Sequence, residues 1–166
     1  MGHRAGRDPR LTTHLALTAR ALGATRMLLH PPDPDLAKRV EAVVRRWGGR
    51  FEVLPAAEWR TTVRAFDGTV VHLTMYGLAI QRLLPRLRRA RKVLLVVGGA
   101  KVPPDLYRLA HYNVAVGHQP HSEVAALAVA LDRLLGTPRS APLEGAQQRI
   151  VPRARGKRVV GGRARA

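Results

Sequence analysis

The segment Val93-Leu94-Leu95-Val96-Val97-Gly98-Gly99 decides the fold class. Its five consecutive apolar residues, most of them β-branched, predict a strand that is buried on both faces, as is typical of a parallel sheet. Helix-like and strand-like segments alternate on both sides of it, from Thr12 to Leu135. Alternating βα units predict an α/β fold with a mainly parallel sheet flanked by helices. A length of 166 residues fits one domain, and we find no internal repeat.

Apolar periodicity and turn residues give the approximate bounds of each predicted element. The expected helices cover residues 12–23, 33–47, 58–66, 78–89, 105–110 and 122–135, and the expected strands cover 27–29, 51–54, 69–75, 93–97 and 112–116, with an edge strand at 148–151. We expect Pro85 to kink or shorten the helix in which it lies, because proline lacks the backbone N–H.

The composition excludes several classes of protein. Hydrophobic residues make up 46% of the chain, which is enough for a real core, and aromatic residues make up only 4%, too few for a base-stacking platform. Cysteine is absent, which excludes disulfides, a thiol nucleophile and cysteine-ligated metals. With no apolar run near 20 residues and no secretory signal, we expect a cytoplasmic protein without a membrane segment.

Positive charge dominates the chain, with 29 Lys and Arg against 11 Asp and Glu and a net charge of +18. Six of the eleven residues from Arg82 to Lys92 are cationic, and the segment from Ala146 to Ala166 holds seven cations and no acid. This excess points to a polyanionic partner such as nucleic acid, since arginine favours bidentate contacts with phosphate. The alternative is a GC-rich genome that encodes arginine wherever a cation is tolerated.

Three loops follow predicted strands, and ligands bind at the carboxyl ends of such strands in open α/β sheets. They follow the strands that end near Met75, Val97 and Val116. Each has a simpler interpretation, as a plain turn or a helix cap. His118 and His121 lie three residues apart, but no third ligand is close in sequence, so we expect no metal. His72 is expected to be a strand histidine, and no spacing suggests a hydrolase triad.

Longer strings of the chain resemble the archaeal tRNA cytidine 2′-O-methyltransferases, a branch of the SPOUT superfamily. The matching strings are Gly2-His3-Arg4, Arg7-Asp8, Arg10, Thr12-Thr13-His14, Ala16 to Ala21, Arg46 to Gly49, Val71 to Leu78, Val96 to Gly98, Lys101 to Pro103, Tyr112 to Gly117, Gln119 to Ala128, Leu131 to Leu134, Ile150 to Pro152 and Arg155 to Lys157. They extend over nearly the whole chain, and those over 71–78 and 119–128 are long and specific.

The resemblance implies a SPOUT fold with a C-terminal trefoil knot, S-adenosylmethionine as the methyl donor, and a homodimer with its active site near the subunit interface. It implies that the three loops bind the cofactor. The residues that it places there are Leu78, Gly98, Gly99, Ala100, Lys101, Val102, Val116, Gly117, His118, Gln119, Pro120, His121, Ser122 and Glu123. These are the loops that the strand pattern also selects.

The implied reaction is methylation of the ribose 2′-hydroxyl of a T-loop cytidine, at position 56 of tRNA, without a metal. Related ribose methyltransferases place an arginine in the motif that residues 12–21 resemble, where the closest-spaced position is Leu17. We therefore take Arg20 as the first catalytic candidate, with Arg10 and His14 as alternatives. The cluster over 82–92 and the basic C-terminal segment would contact tRNA phosphates.

The chain departs from the family pattern in three places. The second loop reads Gly98-Gly99-Ala100 where the family usually has Gly-Ala-Glu, and His118 replaces a usual asparagine. The family also has an apolar strand just before the Gly2-His3-Arg4 string, whereas this sequence begins at Met1. We therefore expect a central strand to be missing, as it would be if the start codon were assigned too far downstream. The expected organisation is a SPOUT domain over 1–152 and a basic flexible tail over 153–166.

Two other functions remain open from the sequence. One is a non-catalytic RNA-binding protein with a SPOUT-like fold, which need not bind S-adenosylmethionine. The other is a ribose methyltransferase that acts on a different RNA, such as ribosomal RNA. Net charge is compatible with all three.

Overall fold

A computed structural model describes residues 9–56, 58–99, 101–136 and 142–161 of the chain. The helices are α1 (Pro9–Ala21), α2 (Pro34–Trp47), α3 (Trp59–Arg64), α4 (Ile80–Arg89), α5 (Pro104–Leu109) and α6 (Glu123–Leu135). The strands are β1 (Arg26–Leu29), β2 (Glu52–Pro55), β3 (Thr69–Ala79), β4 (Val93–Val96), β5 (Tyr112–Ala115), β6 (Gln148–Ile150) and β7 (Val159–Gly161). The strings Gly2-His3-Arg4 and Arg7-Asp8 lie outside the described residues.

The strands within the described residues form three separate sheets rather than the single sheet that we predicted. β3 lies between β4 and β5, and both pairs are parallel. β1 and β2 form a second parallel pair, and β6 and β7 form an antiparallel hairpin. The mixed α/β class and the mainly parallel pairing are therefore confirmed.

Two apolar cores hold the layers together on either side of β3. Val71 and Leu73 lie in the larger core with residues of α1, α2, α4 and α6. Val70 lies in a smaller core with Trp59 of α3 and Leu106 of α5. This division follows from the alternation of side chains along a strand, and it places α5 beneath the second loop.

A short antiparallel hairpin lies near the carboxyl end of the chain. Residues 159–161 form β7, which pairs with β6 so that Ile150 lies opposite Val159. The β-branched pair Val159-Val160 favours a strand, and Gly156 adopts a φ of +72° between the two strands. Residues 162–166 lie outside the described residues.

Pro85 lies inside α4, which continues as a helix to Arg89 instead of ending at the proline. The side chains of Leu83 and Leu87 are buried on either side of it. Their burial compensates for the one backbone hydrogen bond that proline cannot make.

Gly48 and Gly136 provide a matched test of packing at helix ends. Each follows a helix with positive φ, +73° and +84°, and extended ψ, a conformation open almost only to glycine and costing other residues about 1–3 kcal/mol. A Cβ on Gly48 would also lie 2.6 Å from backbone atoms of Glu144 and Ala146, whereas a Cβ on Gly136 meets nothing within 4 Å. In denaturant titrations we expect Gly48→Ala to lose clearly more stability than Gly136→Ala. Equal losses would contradict the tight packing at Gly48.

Candidate functional site

The three predicted ligand loops lie at one edge of the central sheet. Because β4, β3 and β5 are parallel and adjacent in that order, their carboxyl ends meet at the same edge. The loops after these strands are called here the first loop (residues 74–78, after the regular part of β3), the second loop (97–103, after β4) and the third loop (116–122, after β5).

The first loop is an insertion within β3 itself. Leu73 and Leu78 both pair opposite Val114, so residues 74–77 leave the ladder and β3 then returns to it. Sequence analysis predicted that the strand would end at Met75 and a helix begin at Leu78. The helix instead begins at Ile80, because Leu78 and Ala79 pair with β5. Gly77, just before the return, was the one signal of this insertion in the sequence.

Gly77 packs directly against the backbone of β5. A Cβ built on it would lie 2.3 Å from the carbonyl carbon of Asn113 and 2.3 Å from the nitrogen of Val114. No side chain fits this space, so glycine allows the first loop to return to the sheet. Leu78 then presents an apolar side chain that is half exposed at this edge.

The second loop closes on itself at Gly98. A Cβ there would lie 2.5 Å from Cγ2 of Val102, whose side chain packs against the smaller core. Gly99 is partly exposed and Lys101 is exposed, while Ala100 lies outside the described residues. The loop leads directly into α5, which begins at Pro104.

The third loop contacts the first through His118, which is one of the predicted cofactor residues and a departure from the family pattern. His118 Nε2 lies 3.1 Å from the carbonyl oxygen of Gly77, within hydrogen-bond distance. At the far end of the loop, the Ser122 hydroxyl accepts a hydrogen bond from the amide of Ala125 at 3.1 Å and caps α6, as predicted. Gln119, Pro120 and His121 are exposed.

Helices α1 and α6 run in the same direction. They contact each other, and the small residues Ala16 and Ala19 of α1 and Ala126 and Ala130 of α6 are buried in the same core. Their carboxyl ends meet, since a Cβ on Gly23, just past α1, would lie 3.4 Å from Leu135 Cδ1. Each helix has 13 residues, so the amino end of α1 lies at the same end of the molecule as the third loop.

Arg20 lies at the opposite end of α1 and has a structural role. Its Nη2 donates a hydrogen bond of 2.6 Å to the carbonyl oxygen of Gly48 at the end of α2. Its Nε is buried and has no hydrogen-bond partner among the described residues. Burial lowers the pKa of the Arg20 guanidinium. The structure does not bring Arg20 to the loops, because it lies ten residues, about 15 Å of helix, from Arg10.

Arg10 and His14 lie near the amino end of α1, at the same end of the molecule as the third loop. They are four residues apart, so their side chains share one face of the helix, and both are exposed. Neither side chain makes a hydrogen bond or an ion pair within the described part of the chain. Both are therefore available to a ligand, unlike Arg20.

The cationic cluster on α4 divides into two faces. Arg82, Arg86 and Arg89 share a shallow cleft of about 520 Å³ with Leu83 and Pro85, and none of the three pairs with a carboxylate among the described residues. Arg86 Nη1 contacts the Tyr112 hydroxyl at 3.1 Å. Arg88 points elsewhere and donates two hydrogen bonds, of 2.6 and 3.2 Å, to the carbonyl of Arg133 in α6. The cluster thus presents three arginines to a ligand and uses a fourth in packing.

The edge of the sheet brings together closely packed backbone and an exposed apolar side chain. Gly77 and Gly98 bring backbone close to the site, and Leu78 offers apolar surface. In residues 9–56, 58–99, 101–136 and 142–161 no group of three potential metal ligands occurs. None of the helices described combines the length and the hydrophobicity that crossing a bilayer requires.

Comparisons of the chain with a family model and with individual proteins agree on one family. Residues 47–160 match the model of the family described as "tRNA ribose 2'-O-methyltransferase, aTrm56". A protein of Archaeoglobus fulgidus is 49% identical over 160 residues, covering 96% of this chain and 95% of its own length. A Pyrococcus abyssi protein is 52% identical over 167 residues (96% and 84%), and a Methanocaldococcus jannaschii protein is 48% identical over 166 residues (96% and 93%).

All three relatives are named tRNA (cytidine(56)-2'-O)-methyltransferase. The family model covers more than two thirds of the chain, and the identities extend along almost all of it. The resemblance inferred from the sequence strings is therefore confirmed, and the chain belongs to the family of archaeal tRNA ribose 2′-O-methyltransferases.

Proposed function

We propose that this protein transfers a methyl group from S-adenosylmethionine to the ribose 2′-oxygen of cytidine 56 in tRNA. The observation that carries the proposal is the family match, supported by three loops that meet at one edge of a parallel sheet. Methyl transfer from a sulfonium needs alignment of three atoms more than it needs an added Lewis acid. We therefore also propose that the reaction needs no metal ion.

The cofactor would lie against the three loops. Leu78 offers an apolar surface for a planar base, while the backbone amides of the second and third loops offer donors to polar groups. The residues proposed to hold it are Leu78, Gly98 to Val102, and Val116 to Glu123. When bound, S-adenosylmethionine supplies a methyl group that is already activated by the positive sulfur.

The exposed face at the amino end of α1 supplies the chemistry at the ribose. Arg10 stabilises negative charge as it develops on the 2′-oxygen or on an adjacent phosphate. His14, four residues further along the same face, would accept the proton that leaves the 2′-hydroxyl during methyl transfer. Arg20 positions α1 against α2 through Gly48.

We also propose three further properties that the family resemblance implies: a trefoil knot in the carboxyl-terminal half, a homodimer and a cytoplasmic location. Half-exposed apolar side chains on α6, Val129 and Leu135, support a partner surface on that helix. The exposed Tyr76 extends the apolar surface beside the first loop.

Labelled methyl transfer to competing RNAs tests the substrate class. We expect an unmodified tRNA transcript to accept the label, and an excess of unlabelled ribosomal RNA fragments not to reduce it. Preferential labelling of the ribosomal fragments would redirect the proposal to another RNA.

The arginine face of α4 is expected to bind tRNA phosphates, and the salt dependence of binding measures this. Replacing Arg82, Arg86 and Arg89 with glutamine removes three exposed charges. Each phosphate that is no longer neutralised reduces the magnitude of the negative slope of log K against log salt by about 0.7–0.9. We therefore expect the slope to become less negative by about 2–3 in filter-binding assays.

Arg88→Gln is the matched control, because it removes one charge from the same helix but from the side that binds Arg133. It should reduce thermal stability and leave the salt slope nearly unchanged. A slope that responds equally to Arg88→Gln and to Arg82→Gln would show that only net charge matters.

A further inference from the structure

A buried polar cluster lies beneath the three loops. His72 of β3 is only 1% exposed, and its Nδ1 lies 2.9 Å from Oδ1 of Asn113 on β5. The ring of Tyr107, from α5, and the imidazole pack in a T-shaped arrangement with ring centroids 4.7 Å apart and an angle of 85° between the planes. Such clusters are costly to bury unless every member is satisfied, so the partners of each atom matter.

The hydrogen bonds determine the tautomer of His72. Asn113 donates its Nδ2 to the carbonyl of Tyr107 at 2.9 Å, so its Oδ1 is the acceptor that faces His72. The proton of the imidazole is therefore on Nδ1. Burial lowers the pKa of His72 and so favours the neutral form, while the hydrogen bond with Asn113 has a smaller, opposing effect on the pKa. No carboxylate or cation forms an ion pair with the ring among the described residues.

Each partner of His72 lies at the base of a different loop. Asn113 is in β5, just before the third loop, and Tyr107 is in α5, just after the second loop. The Tyr107 hydroxyl lies 3.4 Å from the Thr74 hydroxyl, where the first loop leaves the sheet. The cluster thus joins the three loops at their bases, although none of its members belongs to the predicted cofactor residues.

The cluster lies at the point along β3 where one face of the strand changes from apolar to polar side chains. Two residues earlier on the same face, the side chain of Val70 is buried in the smaller apolar core. An apolar residue at position 72 would fill the space but would leave Asn113 Oδ1 without its donor. On this face of β3, the buried side chains thus change from apolar to polar where the strand approaches the site.

We propose that His72 is a positioning residue which, through Asn113 and Tyr107, holds the second and third loops in the arrangement that binds the cofactor. This inference rests on the proposed function for its ligand, but the coupling of the loops exists without ligand. We expect replacement of His72 to change the affinity for the cofactor and not the rate of the chemical step.

Binding of S-adenosylhomocysteine by calorimetry, with KM and kcat, tests the first consequence. In His72→Leu we expect Kd and KM for the cofactor to rise about ten- to thirtyfold, the effect of one unsatisfied buried group, with kcat at saturation changed less than about threefold. His72→Asn retains a donor near the Nδ1 position and should recover most of the affinity. Val70→Ala, the matched control, should lose stability and keep its Kd.

Hydrogen exchange in the ligand-free protein tests the coupling itself, whether or not the protein proves to be a methyltransferase. His72→Leu and the milder Tyr107→Phe should accelerate exchange in residues 97–103 and 116–122, whereas Val70→Ala should not. Unchanged exchange in these loops, or an equal Kd increase in Val70→Ala, would overturn the proposal. Wild-type protein that binds no cofactor would instead reject the proposed function, and the exchange data would still decide the role of His72.

Discussion

Replacing Arg10 with alanine is expected to reduce kcat by about 100- to 1000-fold, the usual loss when one positioned electrostatic group is removed. Arg10 is exposed at the amino end of α1, beside the end of the molecule where the third loop lies. The thermal unfolding temperature should hardly change, because the Arg10 side chain has no partner within the described residues. Arg10→Lys retains the charge without the bidentate geometry, and should fall between wild type and alanine.

Arg20→Ala is the matched control on the same helix, with the opposite expectation. It leaves the buried carbonyl of Gly48 without its donor, which costs about 1–3 kcal/mol of stability. Below its lowered unfolding temperature, the variant should retain a kcat close to that of wild type. A folded Arg20→Ala protein without activity, beside an active Arg10→Ala protein, would return the catalytic role to Arg20.

Gly77→Ala is expected to have the second large effect, a loss of cofactor affinity. The new methyl group would lie 2.3 Å from the backbone of Asn113 and Val114, which cannot move aside as a side chain can. Overpacking of this kind costs about 1–3 kcal/mol, and displacement of the first loop would also separate His118 from the Gly77 carbonyl. We expect Kd for S-adenosylhomocysteine to rise about 5- to 150-fold by calorimetry.

Two other glycines complete this series. Gly98→Ala meets only side-chain atoms of Val102, so its effect on Kd should be intermediate. Gly136 lies outside the three loops, and Gly136→Ala meets nothing within 4 Å of the new Cβ, so it should bind cofactor like wild type. A different order of the three variants would show that the spacing around these glycines does not control the site.

The order and type of the main elements could be predicted from the sequence because each is local. The apolar run at Val93 predicted β4, and Ser122 followed by Glu123 predicted the start of α6, and both are present where expected. The insertion at residues 74–77 could not be predicted in the same way. It depends on the Gly77 backbone meeting a strand more than 35 residues away in sequence, and single-sequence patterns carry no information about such a contact.

The roles of the arginines show the same limit. The family resemblance favoured Arg20 over Arg10, because Arg20 lies within the motif at residues 12–21. Charge alone does not distinguish the two arginines. The direction of α1 against α6 and the carbonyl of Gly48 separate them, and both are tertiary features. His72 was correctly predicted to be a strand histidine, but its partners Asn113 and Tyr107 come from two later elements. The loops themselves were predictable, because the strands that precede them are.

Methyl transfer to a defined nucleotide is the most direct test of the account. Purified protein would be incubated with labelled S-adenosylmethionine and either of two tRNAs, one unmodified and one with 2′-deoxycytidine at position 56. We expect labelling of the first tRNA at the ribose of cytidine 56 and none of the second, which lacks the acceptor oxygen. Equal labelling of both tRNAs, or no labelling of either by protein that binds the RNA, would contradict it.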